Sequence, residues 1–243
     1  MIQDLYGWRA RIGLIYMASS INMEPEFYMM APKGVSIHTT RIILPKVTVE
    51  GLTEMAESPE VERCTELLVT APLNVIIFGG TSASFIKGYG WDLEIINRMQ
   101  KVSKGIPVTT TSTAVIKALK ALNLSRIAFA TPYTSEVNEQ GRNFLESNGF
   151  KVVSEKGLGL KEDHDIGFVG LEAVYDLVKA VDTPEAEGVF ISCTNLRTID
   201  KIDTLEKDLK KPVVSAIQAS FWDCLRISRV FESIEGFGRL LTI

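Results

Sequence analysis

Two stretches, VIIFGGTSASF (Val75–Phe85) and GVFISCTNLRT (Gly188–Thr198), decide the fold. Each carries a short apolar, β-branched run into a corner of small and hydroxylated residues, then into a helix-like run. That succession is strand, turn and helix of a parallel α/β sheet. Laid on one another, the stretches pair Gly80 with Cys193, Thr81 with Thr194 and Ser82 with Asn195. Upstream of each corner, RIGLIYMASS (Arg11–Ser20) resembles RIAFATPYTS (Arg126–Ser135). Downstream, IPVTTTSTAVIKAL (Ile106–Leu119) resembles KPVVSAIQASFWDCL (Lys211–Leu225). Three matches in the same order predict a duplicated fold. Parallel strands resemble one another in any such sheet, but these matches include the turns.

The expectation is two similar Rossmann-like lobes, each with a central parallel sheet, related by a pseudo-two-fold axis. Residues 1–116 with 220–243 form one lobe and 117–219 the other, and the two corners face a shared cleft. Candidate strands are Arg11–Tyr16, Val75–Phe78, Val108–Thr110, Ile127–Ala130, Gly188–Ser192 and Val213–Ala216. Helical patterns cover Val49–Thr70, Trp91–Lys101, Thr113–Leu122, Glu136–Asn148 and Ile166–Lys179. In such sheets ligands bind beyond the C-terminal ends of the strands.

Composition narrows the function. Apolar residues make up 46% and charged residues 23%, with a net charge near −4, as in ordinary globular proteins. No basic stripe argues for nucleic acid, and no apolar run is long enough for a membrane span or a signal peptide. Three cysteines without a CxxC fit a reducing cytosol. Two histidines cannot build a His-rich metal site. A small-molecule partner in the cytoplasm is the remaining expectation, and a homo-oligomer is compatible with it.

The corners hold the chemistry. Gly80 permits close approach of a ligand, and Thr81, Ser82 and Asn195 can add side-chain donors to the exposed N–H groups of a strand-to-helix turn. The bland alternative is that such residues simply make turns. Cys193 follows the strand VFIS, where neighbouring N–H dipoles are expected to lower its pKa toward a thiolate. Cys64, on one face of an amphipathic helix, and Cys224, amid large apolar residues, are expected in the core. Tyr133 follows a strand end and can donate to a carboxylate or enolate oxygen; it can equally pack over its loop. In KEDHDIG (Lys161–Gly167), Asp163 or Asp165 is expected to N-cap a helix.

Taken together, GLIYMASSINMEPE (Gly13–Glu26), GGTSASFIKG (Gly79–Gly88), the run Thr109–Glu139, SCTNLRTID (Ser192–Asp200), KPVVSAIQASFWD (Lys211–Asp223) and GFGRL (Gly236–Leu240) resemble the aspartate/glutamate racemase superfamily. The resemblance is nearer to its arylmalonate decarboxylase and maleate isomerase branch. It implies a cofactor-free enzyme, without metal, pyridoxal phosphate or nicotinamide. Racemases and isomerases of the superfamily carry a cysteine at both corners and decarboxylases only at the second. Gly80 opposite Cys193 is the decarboxylase arrangement. By the same resemblance, Thr81, Ser82 and Tyr133, with N–H groups near Ser82, Cys193 and Thr194, hold a planar enediolate that Cys193 protonates.

The corner chemistry and the resemblance together assign Gly80, Thr194, Asn195, Ser20, Leu44, Val47 and Asp163 to the substrate, with Leu52 keeping the pocket apolar. Ser20 and Asp163 stand where isomerases have asparagines, Asp163 also where the decarboxylase has an apolar pocket residue, and Thr194 where the decarboxylase has a glycine. A carboxylate at Asp163 is expected to repel a departing carboxylate or instead to seat an amine. Three readings follow. The chain is a decarboxylase of a substituted malonate, an isomerase or racemase of a maleate-like or amino-acid-like acid, or a non-catalytic small-molecule binder. The missing first-corner thiol favours the first over the second.

Overall fold

Eight strands in a computed structural model, which describes residues 5–243, form two four-stranded sheets with every pairing parallel. The first contains β1 (Ala10–Met17), β2 (Val35–Ile42), β3 (Val75–Phe78) and β4 (Val108–Thr110), in the order β2-β1-β3-β4. The second contains β5 (Arg126–Thr131), β6 (Lys151–Gly157), β7 (Gly188–Ile191) and β8 (Val213–Ser215), in the order β6-β5-β7-β8. The orders are identical when β1 is matched with β5, as the duplicated sequence requires. β3 and β7 are buried along their whole length. Helices cover both faces of such a sheet, so its inner strands are uninterrupted apolar runs.

β2 and β6 are additions to the sequence expectation. Both are edge strands, and VSIHTTRI and KVVSEKG are polar and only part-buried, so no apolar run marks them. The β5–β6 pairing also slips at Ile127/Ala128, which disturbs the alternation along β6.

Two expected helices are each divided. Val49–Thr70 splits into α2 (Val49–Glu57) and α3 (Glu60–Leu68), because Pro59 forces Ser58 out of the helical region to ψ 142°. Ile166–Lys179 splits into α8 (Asp163–Gly167) and α9 (Leu171–Val181), parted at the extended Gly170. Asp163 is not the cap of α8. Glu162 holds that position without a side-chain bond, and Asp163 is the first helical residue.

The matching crossings end alike. Thr110 caps α6 (Thr111–Ala121) through the Thr113 N–H, and Ser215 caps α11 (Ala216–Ile227) through a capping box with Gln218. α6 and α11 pack together, joined by Ser220 Oγ donating to Thr111 Oγ1 at 3.1 Å and by Lys117 Nζ against Asp223 at 2.9 Å. The remaining helices are α1 (Met23–Met30), α4 (Thr81–Phe85), α5 (Trp91–Val102), α7 (Ser135–Ser147) and α10 (Ile199–Leu209), and a 3-10 turn, Arg239–Thr242, closes the chain.

Candidate active site

The two corners meet. β3 ends at Gly79-Gly80 before α4, and β7 ends at Ser192-Cys193-Thr194. Thr194 Oγ1 donates to the Gly79 carbonyl at 2.7 Å, so one corner is tied to the other. Gly79 has no room for a side chain: a Cβ there would lie 2.9 Å from both Leu14 Cδ1 and Met23 Sδ. Cys193 has φ 96°, a strained conformation for a residue with a side chain. The turn it makes presents its thiol to the cleft between the sheets.

Gly80, Thr81, Ser82, Cys193 and Thr194 line one cavity together with Tyr133 and Asp163. Its opposite wall is apolar, built by Met17, Leu44, Val47, Leu52 and Met55. The segment carrying Leu44 and Val47 is pinned across the cleft. The Val47 N–H donates to the Lys161 carbonyl at 2.9 Å, and Lys46 pairs with Glu162 at 3.1 Å.

Donors converge on this space. Thr81 Oγ1 is buried with no partner among the described residues. The amide N–H groups of Thr81, Ser82, Cys193 and Thr194 also donate to no group among the described residues. Tyr133 is fully buried, with Ser192 Oγ 3.4 Å from its phenol oxygen and the Ser82 hydroxyl beside it. Burial raises the phenol well above its ordinary pKa, so it stays protonated and can donate. Unpaired donors fixed in a buried pocket are what a developing oxyanion needs.

The thiol differs from the sequence expectation. Burial, and then the charge of Asp163, push Cys193 up to about 12, although the Asn195 N–H reaches its Sγ at 3.3 Å. The resting group is therefore a neutral thiol, a proton donor rather than a ready thiolate. The N–H field was legible in the corner, but it is outweighed by desolvation and by a carboxylate thirty positions away in sequence. Cys64 and Cys224 lie in the core as expected.

Two residues assigned to the substrate stand behind the cavity. Asn195 Oδ1 accepts the Ile21 N–H at 2.8 Å and its Nδ2 donates to the Asp163 carbonyl at 2.7 Å, so both ends of its amide brace the scaffold. Ser20 Oγ donates to Asp163 Oδ2 at 2.7 Å, as does Ser19 Oγ. Thr194 lines the cavity, but its hydroxyl is used in the tie to Gly79, leaving its N–H for a ligand. Among the described residues no group of His, Cys, Asp and Glu is assembled in a way that could hold a metal ion.

Sequence reading missed Tyr16, at the end of β1. Its hydroxyl donates to the Thr194 carbonyl at 2.8 Å and accepts the Met23 N–H at 3.0 Å, holding the second corner from the first sheet. The strand-end rule that singled out Tyr133 applies to Tyr16 as well. Glu26 was also missed. It caps α10 from α1, accepting the Thr198 N–H at 2.6 Å and the Thr198 hydroxyl at 3.1 Å.

Twin parallel sheets of one order, meeting at corners that share a donor-lined cavity with one buried thiol, define a chain of the aspartate/glutamate racemase-like superfamily. More narrowly, it belongs to the arylmalonate decarboxylase family, whose profile matches residues 12–241. An arylmalonate decarboxylase from Bordetella bronchiseptica is 34% identical over 200 residues, covering 81% of this chain and 82% of that one. A maleate isomerase from Nocardia farcinica is 26% identical over 240 residues, covering 95% of both chains. A solved structure of the Nocardia farcinica maleate cis-trans isomerase, a cysteine-to-serine variant with a covalently bound succinylcysteine intermediate, superposes with a TM-score of 0.90. That pair is 25% identical, over 96% of this chain and 98% of the other. The family is one of decarboxylases and isomerases. Among the described residues no helix is long and apolar enough to cross a membrane.

Proposed function

We propose that this chain is a cofactor-independent decarboxylase of a substituted malonate, working in the cytoplasm. One carboxylate of the substrate sits among Thr81, Ser82, Tyr133 and the N–H groups of Ser82, Cys193 and Thr194. The other lies against Leu44, Val47 and Leu52, where lost hydration raises its energy. Its C–C bond breaks, CO2 leaves, and the electron pair becomes an enediolate held by those donors. The Cys193 Sγ–H then gives its proton to the α-carbon, and the thiolate takes a proton back from water. Because the thiol waits on one face only, the product acid is of one hand.

The observation that carries this reading is the asymmetry of the corners: Gly80 stands opposite a Cys193 whose thiol is protonated. Decarboxylation needs an acid, and burial favours the acid form. Addition of a thiolate to a double bond, or removal of a proton, needs the charged form that this pocket disfavours.

The isomerase or racemase reading draws on the maleate isomerases among the relatives and requires a second base, for which Asp163 is the cavity's available carboxylate. Membership of an enzyme family and the converging donors weigh against a purely binding role. The lobe division at 1–116 with 220–243 and 117–219 draws support from the packing of α11 on α6 and α1.

The test is CO2 release from a panel of substituted malonates in D2O, with maleate and chiral α-substituted acids in parallel. One deuterium in a product of single hand, abolished by Cys193→Ser, is expected. Scrambling of a chiral acid without CO2 release would instead establish the isomerase reading. The serine variant should lose several powers of ten, since a hydroxyl is a far weaker acid than a thiol.

A further inference from the structure

Asp163 is the only charged side chain on the cavity wall among the described residues; every other lining residue is apolar, a glycine, or a neutral thiol, phenol or hydroxyl. It is 8% exposed. Its Oδ2 takes two hydroxyl donors, Ser19 and Ser20, each at 2.7 Å, and its carbonyl is held by Asn195 Nδ2. Residues from both sheets thus fix its orientation. Its Oδ1 accepts no bond, and no lysine, arginine or histidine pairs with it, among the described residues. The two hydroxyls offset part of the cost of burying this carboxylate, but among the described residues no cation balances its charge. The missing charge is one a ligand can bring.

We infer that Asp163 seats an ammonium group of the substrate, so that the acid decarboxylated is an amino-substituted malonate. This rests on the decarboxylase reading. The substrate's carboxylates are repelled by Asp163 and take the two places already described, the donor cluster and the apolar wall. The ammonium is the substituent left to face Asp163. A neutral hydroxyl there would satisfy Oδ1 but leave the charge standing. The ammonium also lies next to the α-carbon, where it stabilises the electron pair left as the C–C bond to CO2 breaks. The proton from Cys193 completes a new C–H bond, and the product is an α-amino acid.

Two isosteric pairs test this. The first is α-amino-α-methylmalonate against dimethylmalonate, in which a methyl replaces the ammonium. The wild-type enzyme is expected to favour the amino compound by about 100-fold in kcat/KM, the worth of a charged buried hydrogen bond. Asp163→Asn, which keeps an acceptor for the serines, should bring that ratio to about one or below, with Asp163→Leu as the second variant if the first unfolds. A wild-type preference for dimethylmalonate, or an unchanged ratio in a folded variant, overturns the inference while leaving the decarboxylase reading intact. If neither malonate releases CO2, the decarboxylase reading is decided by the wider malonate panel, and calorimetry with alanine and isobutyrate decides the role of Asp163. Tighter binding of alanine, lost in Asp163→Asn, sustains the ammonium seat; equal or tighter binding of isobutyrate removes it.

Discussion

Thr194 Oγ1 donates to the Gly79 carbonyl across the cleft at 2.7 Å, and through this bond the corner bearing the thiol is fixed against the corner bearing Gly80. Both groups are buried. Thr194→Val keeps the shape and removes the donor, leaving the Gly79 carbonyl unsatisfied, and should cost about 1–3 kcal/mol in denaturant unfolding. Thr194→Ser should restore most of it. The valine variant should also lower kcat more than it raises KM, because the donor and acid corners lose their mutual register.

Cys193 supplies a pH prediction. With its pKa pushed up to about 12 by burial and by Asp163, the thiol stays protonated through the neutral and mildly alkaline range. The rate of proton delivery should therefore show no falling limb between about pH 7 and 10, where an ordinary thiol would ionise. Alkylation of the ligand-free enzyme by iodoacetamide at neutral pH should be slow at all three cysteines. Fast modification of Cys193 would mean that the thiolate is populated and the acid role is wrong.

Tyr133 is fully buried, and its phenol is kept protonated beside Ser82 and Ser192. Tyr133→Phe removes one donor from the proposed oxyanion site with little change in volume. It should cost about 2–4 kcal/mol of transition-state stabilisation, read as a loss in kcat/KM with unfolding stability nearly unchanged. An undiminished rate would take Tyr133 out of the mechanism.

The sequence disclosed these corners because buried parallel strands are uninterrupted apolar runs and because duplication writes the pattern twice. β2 and β6 escaped for the opposite reason: edge strands carry polar residues on their open sides. Asn195 differs from Ser82, the residue with which the internal repeat pairs it. A serine at that position faces the cavity, whereas the longer amide reaches back to Ile21 and Asp163. The protonated thiol could not be foreseen locally, since it depends on Asp163, which only the folded chain brings near. Pro59 is different: a proline that divides α2 from α3 is legible in the sequence itself, between two runs of apolar periodicity.

Glu26 makes stability depend on pH. Burial raises its carboxyl from the ordinary value of 4.5 to about 7, against the opposing hydrogen bonds from Thr198 and Ile199, and the charge of Asp200 adds a smaller push in the same direction as burial. Between those two values the folded chain holds a proton that the unfolded chain has released. Stability conferred by Glu26 is therefore fully present below about pH 4.5, falls as pH rises toward about 7 and levels off above it, a change of about 3 kcal/mol. Glu206, also raised by burial, adds a contribution of the same sign. The difference in unfolding free energy between wild type and Glu26→Gln isolates the first group. It should move in favour of the glutamine variant as pH rises from about 5 to 8. A constant difference would show that Glu26 titrates in its usual range.

Gly80 tests the asymmetry on which the reaction type rests. Its φ of −112° suits any residue, so a side chain there meets no backbone strain. Space is the obstacle: a Cβ would lie 3.0 Å and 3.1 Å from the Phe78 ring and 3.2 Å from Met17 Cε. Met17 is flexible, and the ring has to give by a few tenths of an ångström. Gly80→Cys should therefore fold with a loss of about 1–2 kcal/mol. It places a thiol on the face opposite Cys193, so one sulfur can remove the α-proton of the product acid while the other returns it. The variant should racemise that acid, measured by loss of optical rotation with solvent deuterium uptake, whereas the wild-type chain should not. Racemisation by the wild-type protein at a comparable rate would mean that another group already serves the second face. Asp163→Asn should then abolish the racemisation, because Asp163 is the carboxylate that lines the same cavity.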